Sequence, residues 1–154
     1  MSQFLKYYNS EIERYGGLKN YIDAKAIEKK PLIDRIKKYS ENKKVLEAGS
    51  GSAVNSIALA NSGFSVICID NNKEMLKFAK KNSQEFLKKP EFRLGNIKNI
   101  YNLKVDVSFS HGVLEHFSDE EIVSLINEQL KVADNVIISV PSNFLSGKMC
   151  FLSP

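Results

Sequence analysis

"KKVLEAGSGSAVNS", residues 43–56, joins a short apolar run to a glycine loop and then to a helix-forming stretch. Val45 and Leu46 lead in, Glu47 follows, and Gly49 and Gly51 stand two residues apart. An apolar run, a tight glycine turn and an opening helix form the first half of a strand–helix–strand unit. The chain on its C-terminal side repeats that alternation.

"AVNSIALANSG" (53–63) reads as a helix closed by Gly63 at the first position past its end. "FSVICID" (64–70) is a buried strand by its β-branched run. "NNKEMLKFAKKN" (71–82) is a helix, with its asparagines and Glu74 placed to cap its start. Pro90 interrupts before "EFRLGNI" (91–97), a short strand, and "KVDVSFS" (104–110) is the next. Ser118 and Glu121 have capping-box spacing, and the helix they open carries Ile122, Leu125, Ile126 and Leu130 as its expected buried stripe. "NVIISV" (135–140) is a fifth strand, stopped by Pro141. Strands alternating with helices predict an α/β fold, a doubly wound parallel sheet. The expected order is 3-2-1-4-5, with a ligand crevice at the strand ends between strands 1 and 4.

Upstream, Phe4, Tyr8, Ile12 and Tyr15 recur at helical spacing, so 3–15 reads as a helix ended by Gly16 and Gly17. A second helical stretch covers 21–40, split at Pro31, with Ile33 and Ile36 on its apolar face. The expected organisation is a helical cover at 1–40, a core at 41–142 and a tail at 143–154.

Composition narrows the class. The 154 residues, 43 % hydrophobic and 26 % charged, suit one domain with one core. The longest strongly apolar stretch, "VIISV" at 136–140, is far short of the roughly 20 residues a spanning helix needs, so no membrane role is expected. The N-terminus lacks the apolar run of a secretory signal. Cys68 and Cys150 have no metal-ligand spacing, which points to a reducing, cytoplasmic setting. The net charge of +4 raises nucleic acid as a partner. The basic residues are nearly all lysine, however, with only Arg14, Arg35 and Arg93 offering bidentate forks, and Glu85 interrupts the run at Lys77, Lys80, Lys81, Lys88 and Lys89. A solvated surface is the better reading, and a nucleic-acid partner is not expected. Nothing in the sequence speaks to oligomeric state.

Two cofactor classes use a glycine loop after a first strand. The dinucleotide fingerprint G-x-G-x-x-G needs a third glycine at position 54, where Val54 stands. The alternative, acid-x-G-x-G-x-small, is met by Glu47, Gly49, Gly51 and Ala53.

"VLEAGSGSA" resembles the first motif of class I S-adenosylmethionine-dependent methyltransferases. "VICID", ending in Asp70, "RLGNI" and "VDVSFSHGVLEHF" are similar to the next three motifs, in order, the last to the small-molecule branch. The similarity spans roughly residues 40–142. It implies a Rossmann-like fold, S-adenosyl-L-methionine as cofactor and methyl transfer to a small-molecule acceptor. By the same resemblance Asp70 accepts from the ribose hydroxyls, the alternative being a helix cap. Glu47 faces the cofactor's ammonium, directly or through water. Asn96 stands where most members carry Asp against the adenine amino group, and the N–H of Ile97 faces the adenine ring. Asn71 stands where many relatives place an apolar residue, or is only a cap. His111, at the crevice, touches cofactor or acceptor. His116 and Glu115 read as structural groups of the turn before the helix. Tyr7, Tyr8 and Tyr15 lie in a region that in the family lines the acceptor pocket, with an aromatic packing face preferred for Tyr8 and Tyr15. An activated methyl group requires no nucleophile, so no catalytic residue is assigned.

The full fold of this class has two more strands. The chain is expected to lack them, with the tail beginning a missing C-terminal part. Strand five would then be an open edge, unless Phe144, Leu145, Met149, Phe151 and Leu152 cover it. Three rival readings remain. A nicotinamide-dependent oxidoreductase is opposed by Val54 and the later motifs. A non-catalytic cofactor-binding fragment is raised by the short C-terminus. An RNA methyltransferase lacks the acid/Asn-Pro-Pro-aromatic motif, since strand five runs into "SVPSNF".

Overall fold

A computed structural model describes residues 3–140 and the backbone of residues 150–152. The apolar runs become parallel strands β1 (Lys44–Ala48), β2 (Ser65–Asp70), β3 (Glu91–Leu94), β4 (Val105–His111) and β5 (Ala133–Val140). They pair in the expected order β3-β2-β1-β4-β5. Val45 stands opposite Val66 on one side and Val107 on the other, so β1 is central. A short β6 (Cys150–Leu152) adds an antiparallel strand to β5, with Ile138 opposite Leu152. Part of the tail thus pairs with the β5 edge. Phe144, Leu145 and Met149 lie outside the described residues.

The helices are α1 (Gln3–Arg14), α2 (Leu18–Glu28), α3 (Lys30–Tyr39), α4 (Val54–Asn61), α5 (Lys73–Ser83) and α6 (Asp119–Leu130). Pro31 falls in the first turn of α3, where its missing N–H costs no helical bond, and the break between α2 and α3 comes at Lys29. Asn72 caps α5 by accepting from the N–H groups of Glu74 and Met75. Ser118 and Glu121 form the capping box of α6. None of the described helices is long and apolar enough to cross a membrane.

Strand alternation splits the core in two. Val45, Val66, Cys68, Val107 and Phe109 pack against Leu32 and Ile36 of α3 and Leu59 of α4. Leu46, Ala48, Ile69, Val136 and Ile138 pack on the other face with Leu125 of α6. A third cluster joins Leu18, Tyr21 and Ile22 of α2 to Ile57 of α4. That contact lays the N-terminal helices over the C-terminal ends of the strands, where the crevice lies.

One expected core residue is displaced. Leu130 is 44 % exposed rather than part of the α6 stripe, and Gln129 is buried in its place. Helical geometry explains the exchange, because Ile122, Leu125 and Ile126 continue the stripe to the i+7 position, residue 129. The Gln129 amide is satisfied there. It accepts from Ser108 Oγ at 2.8 Å and donates to the Leu125 carbonyl at 3.4 Å.

Ala53 takes the place of the third small residue of the loop and sits at φ 55°, ψ 27°, just before α4. An alanine in the left-handed region is strained by about 1–2 kcal/mol. Ala53→Gly is therefore expected to raise the melting temperature by about 2–4 °C, the effect of roughly 1 kcal/mol in a chain of this size. A thermal melt that shifts downward would show that the Ala53 methyl, fully buried, contributes more by packing than its backbone loses.

Candidate functional site

The glycine loop is fastened to the end of β2 by three hydrogen bonds from its backbone, and a fourth, from the turn after β2, orients the acid that takes part. The N–H groups of Gly49 and Ser50 both donate to the Ile69 carbonyl, at 2.8 and 3.1 Å. The Gly51 N–H donates to Asp70 Oδ2 at 2.7 Å, and the Asn72 N–H to Asp70 Oδ1 at 2.8 Å. Asp70 is thus held by two backbone donors, and each carboxylate oxygen keeps a further acceptor position. Gly49 has φ 79°, and a Cβ there would lie 2.8 Å from Val113 Cγ2, so only glycine lets the loop after β4 approach. Gly51 has φ 51° and faces open space, with no atom within 4 Å of where a Cβ would stand.

That space belongs to a cavity of about 580 Å³ at the C-terminal ends of β1, β2 and β4. Such a volume suits a nucleoside-sized ligand. Glu47, Gly49, Gly51, Asp70, Asn71 and His111 all line it. Asn96 and Ile97 do not. Asn96 is exposed, and its side-chain carbonyl accepts from the Lys98 N–H at 2.9 Å. Ile97 is buried in the core beside Ile69.

Glu47 lies on the same face of β1 as Val45, beneath α4. Its carboxylate accepts from Ser56 Oγ and, at 3.2 Å, from Asn55 Nδ2. Burial pushes its pKa up to about 7, against the pull of those two donors. At the β4 end, His111 Nδ1 meets Ser139 Oγ at 2.9 Å, and Nε2 meets the Lys29 ammonium. Burial, reinforced by Lys29, brings the His111 pKa down to about 4, so the ring is neutral near pH 7. An ammonium only donates, so Nε2 is the acceptor and Nδ1 carries the proton toward Ser139.

The helical cover supplies the other wall. Tyr7 and Tyr8 of α1 and Tyr21, Lys25 and Glu28 of α2 line the cavity. Tyr8 also packs its ring on Phe78, at 6.1 Å between centroids. Tyr15 does not reach the cavity and packs on Tyr21 at 5.6 Å. His116, exposed in a 3-10 turn at Leu114–His116, stands at the rim, and Glu115 lies outside it. Tyr21, Lys25 and Lys29 carry no motif, and only the packing of α2 on α4 brings them to the strand ends. Asn55 and Ser56 had a weak signal, since a buried acid at the end of β1 requires polar donors close by.

Residues 39–148 match the family model described as a methyltransferase domain. No curated protein sequence matches the chain. Among solved structures, magnesium protoporphyrin IX methyltransferase from Synechocystis PCC 6803 with bound SAM aligns at 28 % identity and a TM-score of 0.61, over 68 % of this chain and 51 % of that one. The same enzyme with bound SAH aligns at 23 % identity and a TM-score of 0.67, over 90 % of this chain and 62 % of that one. The PH0226 protein from Pyrococcus horikoshii OT3 shares the fold at 22 % identity and a TM-score of 0.68, over 77 % of this chain and 57 % of that one. The chain therefore spans between 51 % and 62 % of the length of these structures.

Proposed function

The chain belongs to the methyltransferase-domain family, and from that premise we propose that it takes part in methyl transfer from S-adenosyl-L-methionine to a small-molecule acceptor. One observation carries the reading. Gly51 and Asp70 are locked to each other at the edge of a nucleoside-sized cavity, with open space beyond Gly51. The bound SAM and SAH of the Synechocystis enzyme support it.

The residues present suit such a cofactor. Asp70, already oriented by two N–H donors, has acceptor positions left for the ribose hydroxyls, and bonds to a carboxylate are the stronger kind. Glu47 is the acid for the ammonium at the other end. Asn71 lines the cavity next to Asp70. The assignment of Asn96 and Ile97 to the adenine rests on the motif resemblance alone. The helices within residues 1–40 act as cover and residues 41–142 as the cofactor-holding core. The spacing of Cys68 and Cys150 supports a reducing, cytoplasmic setting.

The cofactor supplies a methyl group already activated on a sulfonium. What the chain contributes is position, and holding two reactants in line is worth up to ~7–11 kcal/mol. The cover and the loop after β4 exclude water and orient the acceptor. His111 is not a poised base, because its Nε2 is engaged by Lys29. A proton need be removed only where the acceptor must lose one.

Calorimetric titration with S-adenosylhomocysteine, with NAD as control, tests the reading. One-to-one binding of the first and none of the second is expected. Preference for NAD would reinstate the oxidoreductase, and binding of neither by a folded chain would remove the cofactor from the proposal.

A further inference from the structure

We propose that Lys29, aimed by His111, binds the α-carboxylate of S-adenosylmethionine, an inference that rests on the cofactor reading above. The sheet order sets the layout. Asp70 ends β2, Glu47 lies on β1 and His111 ends β4. A ligand with its ribose at Asp70 and its length across the strand ends lays its amino-acid end over β1 and β4.

An amino-acid end carries an ammonium and a carboxylate on one carbon. Its site therefore needs an acid and a cation near each other. Glu47 is the acid and lines the same cavity as Lys29, which feels the charge of Glu28 first and of Glu47 after it. Lys25, the other lysine of the cavity wall, is taken by Glu28 at 2.6 Å. Lys29 has no ion pair among the described residues. The one hydrogen-bond partner of its ammonium there is neutral, the Nε2 of His111, which is itself fixed by Ser139. An ammonium has three donors, and His111 uses one. The remaining donors project from a group whose half-buried position lowers its pKa. In such a place an unpaired cation is costly, and an anion that pairs with it is held more strongly than at the surface. His111 is then a positioning residue.

The placement has a structural consequence. Lys29 sits at the end of α2, outside the sheet motifs, so the helical cover itself becomes part of the cofactor site. Cover and ligand would order one another.

The experiment compares S-adenosylhomocysteine with 5′-methylthioadenosine, which keeps the nucleoside and sulfur and lacks the amino-acid end. With Lys29→Met, affinity for S-adenosylhomocysteine is expected to fall roughly tenfold to hundredfold, the range for a lost hydrogen bond to a charged group. Affinity for methylthioadenosine is expected to stay within about twofold of the parent, well below that range. Lys29→Arg is expected to keep part of the preference. Thermal melts of both variants confirm folding. Unchanged affinity for S-adenosylhomocysteine in Lys29→Met overturns the proposal. So does an equal loss for both ligands, which would make Lys29 a strut of the cover. If the parent chain binds neither ligand, the cofactor reading itself fails, and this inference with it.

Discussion

Asp70→Ala is expected to weaken S-adenosylhomocysteine binding roughly hundredfold or more, since two hydrogen bonds to a charged acceptor are lost together. The same substitution also acts on the empty protein. The N–H groups of Gly51 and Asn72 both lose their acceptor. Asp70 is only partly buried, so water can replace it, and the cost to stability is about 1–2 kcal/mol. Two roles are therefore superimposed on one carboxylate, clasp of the loop and contact to the ligand. Asp70→Asn helps to separate them. The amide oxygen keeps one of the two clasp bonds, while Nδ2 meets the other N–H and offers a donor where a ribose hydroxyl expects an acceptor. Its melting temperature is expected between those of the parent and Asp70→Ala, with binding weakened at least tenfold, about one charged hydrogen bond. If Asp70→Ala melts early but binds within threefold of the parent, the carboxylate is a clasp only, and the ribose lies elsewhere.

The alternation of strands and helices made the sheet legible, because a buried parallel strand is a continuous β-branched run and two of the crossover helices, α5 and α6, open on side-chain caps. Ser118, Glu121 and Asn72 signal their helix starts from local sequence alone, and they act there as caps. Leu130 shows where periodicity stops informing. At the last residue of α6 the chain turns toward β5, and the polar Gln129 takes the buried position because Ser108 waits for it across the sheet. No hydrophobic pattern announces a buried polar pair. The glycine loop, Asp70 and Glu47 could be read because the constraint is local, a short strand followed by a turn. Lys29 could not. Its meeting with His111 spans 82 residues and depends on how α2 packs on α4. Asn96 is intermediate: its loop was readable from sequence, but not that its carbonyl would turn back to the Lys98 N–H.

Glu47→Gln is expected to make the protein more stable and a poorer binder at once. Burial raises the Glu47 pKa from 4.5 to about 7 in the folded chain. The folded state thus holds a proton that the unfolded state releases at lower pH. Stability from this group is complete below pH 4.5 and is lost as pH rises through about 7. The difference of some 2.5 units corresponds to about 3 kcal/mol. Glutamine keeps the shape and stays neutral, and it still accepts from Asn55 while the Ser56 hydroxyl can turn to suit it. The variant should match the parent near pH 4 and melt roughly 6–12 °C higher at pH 8. Ligand binding runs the other way. An ammonium pairs with the ionised acid, so the parent's affinity for S-adenosylhomocysteine should strengthen as pH rises from 6 to 8. The variant should bind more weakly and without that trend. Melts and titrations at pH 5, 6, 7 and 8 read both effects on the same samples. A constant offset in melting temperature would mean that Ser56 and Asn55 already keep Glu47 ionised across this range. Parallel pH profiles of binding would mean that the ammonium finds its partner elsewhere in the cavity. Opposite signs for stability and affinity are what a buried acid kept for a cationic ligand must show, because the ligand supplies the charge that the fold alone leaves unpaired.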